Sequence, residues 1–189
     1  MEQGLRSIRS TASAMQAMIA NLVELCDLSG QLLHVEPVDM EELAREAWSE
    51  VESNRRVEFS VAKLPPARGH RGMLKLVWKN LLTNAVRNTT LRDRPSVQVT
   101  GGGSGEHAIY AVRDNGTALD LGYSGKLSYV FEQVQKQSPH PGTGVGLAIV
   151  QRIVTRHRGN VWVEARRNEG AFFQFSILTG EGAPDTQSG

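Results

Sequence analysis

One cysteine, Cys26, stands in 189 residues. A lone thiol forms no internal disulfide and assembles no thiolate metal cluster, so a reducing cytoplasm is the expected setting and a packed core the expected stabiliser. Charge of one sign is lacking too: 21 Lys and Arg face 20 Asp and Glu, a net charge of +1. That balance creates no long-range field to gather DNA, RNA or an anionic bilayer, so neither a nucleic-acid partner nor direct membrane contact is expected. No apolar run approaches the ~20 residues that span a bilayer, and no signal-peptide core is present. What is there, 40% hydrophobic and 22% charged residues, is the composition of a soluble globular chain with one main domain and appendages.

From the N-terminus, Leu5, Ile8, Ala12, Met15, Ile19, Leu22 and Cys26 recur with three-four spacing, the seam of a coiled coil or bundle helix. Such a stripe packs on its own domain or on a second copy; its narrowness favours dimerisation. Pro37 stops a helix from passing through the linker Gln31 to Val38. Asp39 followed by Glu42 has the form of a capping box, and Leu43, Ala44, Ala47 and Val51 then make one helical face. Val57, Phe59 and Val61 alternate as a strand that closes at Pro65-Pro66, and a second helix is predicted over Met73 to Thr89. Strands at Val97 to Val99 and Ile109 to Arg113 are joined by the Gly101 to Gly105 turn. An irregular stretch follows from Asp114 to Gly142, then a third helix from about Thr143 to His157 ended by Gly159. Strands Asn160 to Ala165 and Phe172 to Leu178 form a closing hairpin, and Thr179 to Gly189 has a disordered composition. Helices and strands in this mixed order predict a two-layer α+β sandwich.

Three features carry chemistry. Asn80, Asn84 and Arg87 share one stripe of the second helix, while Leu74, Val77, Leu81 and Ala85 form its buried face. An amide oxygen is a hard neutral ligand suited to Mg²⁺, and Arg meets phosphates as a charged fork; a solvated polar edge is the plainer alternative. Next, Asp114-Asn115-Gly116 ends a strand. A carboxylate there can accept from an exocyclic amine, and a following glycine lets a flat ring approach; the alternative is a type I′ hairpin turn, although no strand returns at once. Last, Gly142-Thr143-Gly144-Val145-Gly146-Leu147 opens a helix. Its free N–H groups could cradle a phosphate, or its glycines could hinge a lid; it matches neither a Walker loop nor the dinucleotide fingerprint.

In this order the three features resemble the N, G1 and G2 boxes of the sensor histidine kinase ATP-binding domain, in the superfamily of gyrase and the heat-shock chaperones. The likeness is greatest to phytochrome-type kinases, at Leu81 to Ala85, Tyr123 to Leu127 and Ile149 to Val154. The resemblance implies a Bergerat-type sandwich over 37–178, a partial dimerisation helix and linker over 1–36, and a tail over 179–189. It implies Mg²⁺ on Asn84 with Asn80 supporting it, Arg87 on the phosphates, and Asp114 on the adenine amine with Gly116 making room. Lys126 and Phe131-Glu132 would belong to a lid, Gly142, Thr143, Gly144, Val145 and Gly146 would wrap the triphosphate of ATP, and Leu147 would pack behind them. The implied partners are a response-regulator receiver domain, a second copy of the chain, and a histidine-bearing helix.

The departures are specific. None of His34, His70, His107, His140 and His157 is followed by an acidic residue as the family's phosphoacceptor is, so the phosphoacceptor is expected outside this chain. Ala118 replaces a G1 glycine, Val134 a lid aromatic, and Asn88 the aromatic that stacks on adenine; His70 stands where an acidic residue is common, away from the boxes. An amide at Asn80, where the superfamily ATPases carry Glu, removes the base that activates water and favours kinase over ATPase. The competing reading is a degenerate dimeric adaptor that docks a regulator without phosphotransfer. A serine kinase of the anti-sigma type is a further alternative, opposed by the dimerisation seam.

Overall fold

The computed structural model describes residues 33–179 apart from 52, 54–55, 104, 117–144 and 167–169. The seam Leu5 to Cys26 and the tail beyond Thr179 therefore lie outside the described residues. Among the described residues seven strands and three helices follow in the order β1 (Glu36–Val38), α1 (Met40–Ser49), β2 (Glu58–Val61), β3 (Ala67–Gly69), α2 (Arg71–Asn88), β4 (Ser96–Gly102), β5 (His107–Asp114), α3 (Val145–Arg156), β6 (Val161–Arg166) and β7 (Gly170–Leu178).

Asp39 starts α1 by accepting from the backbone N–H groups of Glu41 and Glu42, both at 3.0 Å from Oδ1. Two donors that the first helical turn leaves unpaired are thereby satisfied. Leu43, Ala44 and Ala47 are fully buried beneath it. On its outer face Glu46 and Glu50 interleave with Arg71, Lys75 and Lys79 of α2. These exposed pairs align the two helices more than they stabilise them. Trp48 stacks on Phe59 with centroids 4.0 Å apart, which ties α1 to the edge strand β2.

The main sheet has the order β2-β4-β5-β7-β6, with β2 parallel to β4 and every other pair antiparallel. Alternation sends one set of side chains to the helices. Val61, Val99, Val112, Phe173 and Val163 lie in register across all five strands. Beside them Tyr110 and Phe175 meet Trp78 of α2 edge-on, at 5.9 and 5.1 Å. All three helices contribute to this one core, which is the two-layer α+β arrangement that the order of elements predicts.

Several boundaries differ from the sequence reading. The predicted linker ends in a strand, since Glu36 to Val38 pairs antiparallel with Ala67 to Gly69. Pro37 is tolerated there because a proline at a sheet edge deprives no neighbour of a needed donor. α2 begins two residues before Met73 because His70 caps it, Nδ1 accepting from Met73 N at 3.4 Å. β4 runs on to Gly102, into the glycine stretch assigned to the turn. α3 ends at Arg156, one residue before the predicted His157, and Arg158 is left-handed (φ 57) just ahead of Gly159. Thr179 belongs to the fold rather than to the tail: its N–H donates to Glu106 O and its hydroxyl to Gly105 O.

Candidate functional site

α2 is amphipathic in a way that leaves one stripe for chemistry. Leu74, Val77, Trp78, Leu81 and Ala85 are fully buried, and Lys75 and Lys79 turn toward α1. Asn80, Asn84 and Asn88 then follow at successive turns on the remaining face.

Asn80 Nδ2 donates to Leu76 O at 2.8 Å, back along the helix. Its oxygen is thereby turned toward the first turn of α3, where a Cβ placed on Gly146 would lie 2.6 Å from Oδ1. A glycine lets the Asn80 amide sit this close; a methyl group there would make the amide turn away. Leu147, next along, is buried in the core and anchors that turn. Val145 opens α3, whose first N–H groups have no partner within the helix. Asn84 is half-buried and Arg87 exposed.

The other end of the stripe meets β5. Ala108, Tyr110, Val112 and Asp114 alternate onto the helix-covered side, so the carboxylate completes an apolar row. Asp114 is 1% exposed. Its Oδ1 accepts from Gly116 N at 2.8 Å and Ala171 N at 3.3 Å, and its Oδ2 accepts from Asn88 Nδ2 at 3.2 Å. Burial pushes its pKa above the ordinary carboxylate value, against the opposing pull of these donors and the Arg92 charge.

The turn after Asp114 is not a type I′ hairpin, because neither Asn115 nor Gly116 has the positive φ that this turn demands. Asn115 instead folds back on the start of β4, accepting from Ser96 N at 3.0 Å and donating to Arg94 O at 2.8 Å. Gly116 is needed for a reason other than room for a ring: a Cβ there would sit 2.5 Å from the carbonyl oxygen of Asn88. Arg92 Nη2 donates to Gly116 O at 3.0 Å and fixes the same turn. The bond from Asn88, read above only as a lost aromatic, and the contact from Arg92 are what sequence reasoning missed. The repeat 80, 84, 88 was the available signal for the first; the second had none.

α2 therefore touches both neighbours of the stripe, meeting the first turn of α3 through Asn80 at Gly146 and the acidic turn through Asn88. Lys126, Phe131, Gly142, Thr143 and Gly144 lie outside the described residues. Likewise His70, remote from the boxes in sequence terms, is linked to α3: its backbone N–H donates to His157 Nε2 at 3.0 Å.

A family profile described as "Histidine kinase-, DNA gyrase B-, and HSP90-like ATPase" matches residues 69–181. The chain is 26% identical over 171 residues to the phytochrome-like protein Cph1 of Synechocystis sp., covering 89% of this chain and 23% of that protein. It is 32% identical over 142 residues to the methanogenesis regulatory histidine kinase FilI of Methanothrix harundinacea, covering 73% of this chain and 16% of that one. Among solved structures, the mycobacterial sensor histidine kinase MprB superposes with a TM-score of 0.62 at 27% identity, covering 76% of this chain and 96% of that chain.

Proposed function

The chain belongs to the histidine kinase-, DNA gyrase B- and HSP90-like ATPase family, and from that premise we propose that it is the ATP-binding catalytic unit of a two-component sensor histidine kinase. It transfers the γ-phosphoryl group of ATP to a histidine on a helix outside this chain, from which a response-regulator receiver domain is served. It works as a homodimer in the cytoplasm.

One observation carries this reading. A buried acceptor at Asp114 and a glycine-entered helix N-terminus at Gly146 are held by opposite ends of one stripe, Asn88 and Asn80. Those ends are roughly 12 Å apart along the helix axis. An elongated ligand with an amine-bearing base at one end and phosphates at the other suits that spacing. The donor set fits as well. Asp114 retains an acceptor position on Oδ2, and the Asn84 amide makes no hydrogen bond among the described residues, leaving a hard oxygen for Mg²⁺. Magnesium-ATP, when bound, supplies the transferable phosphoryl group and the charge that offsets its oxygens.

The chain's own residues do the rest. Asp114 accepts from the base amine and fixes which way round the nucleotide lies. The first N–H groups of α3, with the helix dipole behind them, and the exposed guanidinium of Arg87 meet the phosphate oxygens. Asn80 is a neutral amide with its nitrogen spent on Leu76 O. It cannot take a proton from water, so no base for hydrolysis stands there, and transfer to an external nucleophile is the chemistry left. Incubation with γ-labelled ATP, Mg²⁺ and a separate histidine-bearing hairpin should label that hairpin on histidine. Absence of label, with the chain folded, would overturn the kinase reading.

A further inference from the structure

Asn88 does more than occupy the last turn of α2. A carboxylate offers about four lone-pair positions. Asp114 fills three of them, with Gly116 N, Ala171 N and Asn88 Nδ2. The fourth, on Oδ2, has no donor among the described residues although the side chain is 1% exposed. The amide nitrogen of Asn88 likewise has a second hydrogen that no described residue accepts. An unfilled acceptor and an unfilled donor therefore stand side by side, on atoms 3.2 Å apart.

The pair is held in place. The backbone of Asn88 is pinned against Gly116, where even a Cβ would collide. Thr89 closes the helix behind it through its N–H to Ala85 O at 3.2 Å. Arg92 fixes the facing turn through Gly116 O.

An acceptor beside a donor is the complement of an adenine edge, in which the exocyclic amine donates and a flanking ring nitrogen accepts. We propose that Asn88 is a second base-reading residue: it donates to a ring nitrogen flanking the amine while Asp114 accepts from the amine itself. In the same seating a 6-oxopurine turns a carbonyl oxygen toward the carboxylate, and where the flanking nitrogen carries a hydrogen it faces the amide hydrogen. Both readers then reject it. The proposal rests on the nucleotide-binding reading above and extends it to a residue that the family resemblance gives only as a lost aromatic.

The test is equilibrium binding, with Mg²⁺, of ATP, 1-deaza-ATP, 7-deaza-ATP and inosine triphosphate to the whole chain and to Asn88→Ala. One deaza analogue should bind the unaltered chain about three- to tenfold more weakly than ATP, the worth of one hydrogen bond. That deficit should vanish in Asn88→Ala, while inosine triphosphate stays weak in both because Asp114 is intact. Equal binding of ATP and both deaza analogues to the unaltered chain overturns the proposal, and this comparison needs no variant to fold. If the inosine deficit also vanishes in Asn88→Ala, Asn88 only positions Asp114, and the proposal fails while nucleotide binding stands. Failure of the folded chain to bind ATP at all overturns both.

Discussion

Replacing Asp114 with Asn tests the site at a carboxylate that is 1% exposed. The substitution keeps the shape of the side chain and one oxygen. That oxygen can still accept from Gly116 N and Ala171 N, now at 2.8 and 3.3 Å, and the neighbouring Asn88 amide can rotate to present its own oxygen to the new NH₂ group. A buried charge is removed along with three charge-assisted hydrogen bonds, opposing effects that leave stability within about 1 kcal/mol. Binding should change far more. The acceptor meant for a base amine becomes a donor, and a buried donor facing a donor costs about 1–3 kcal/mol, or about 5- to 150-fold in affinity for ATP. The pH dependence has a definite sign. Burial raises the Asp114 pKa, so as pH falls toward that value the carboxyl group takes up a proton and loses its acceptor. ATP affinity should therefore weaken on acidification in the unaltered chain, and this component should be absent from Asp114→Asn. Stability follows the opposite course. The folded state holds the proton more tightly than the unfolded one, so this residue favours folding below its ordinary pKa, and that contribution is lost as pH rises through the raised value. Calorimetric titration of ATP from about pH 8 to pH 5, beside thermal melts, reads both effects. A folded Asp114→Asn that binds ATP within about twofold of the unaltered chain refutes the reasoning.

Two further outcomes follow from the same geometry. Gly146→Ala puts a methyl group 2.6 Å from Asn80 Oδ1, the end of a side chain that can turn away, and should cost no more than about 1 kcal/mol in urea unfolding. Adding Asn80→Ala should recover part of that loss, so strictly additive effects would show that the two residues do not meet. His157 is buried and neutral, with Nδ1 2.8 Å from Ile153 O and Nε2 accepting from His70 N. Burial, with His70 and Arg156 adding to it, lowers its pKa, so the unfolded chain binds the extra proton first. Stability from this group is full above the unfolded pKa of about 6.5 and falls as pH drops through it toward the lowered folded value. Urea midpoints measured across that window should decline for the unaltered chain and flatten for His157→Gln; equal slopes would contradict the assignment.

Much of the frame was legible along the chain, because local rules wrote it. Periodicity marked the three helices and most of the main sheet. Asp39 announced its helix, whereas the run Ala108 to Val112 is apolar throughout and marked a strand without showing its buried face, so the inward direction of Asp114 came from the structure. β1 and β3 escaped because three-residue strands have no pattern of their own and exist only by pairing with each other. The start of α2 escaped because a histidine is an uncommon cap, held here partly by His157 from the far end of α3.

Residue order alone determined which groups were candidates: an amide stripe, a carboxylate at a strand end, and glycines before a helix. Only tertiary structure decided what Gly116 and Gly146 meet and what Asn88 is for. Gly116 yields to the carbonyl of Asn88 and Gly146 to the amide of Asn80. Asn88, read as a missing aromatic, turns out to hold Asp114. Spacing along a chain encodes which side of a helix or strand a group faces. Whether two groups from distant elements come within 3 Å is set by packing, which forms only when the layers close.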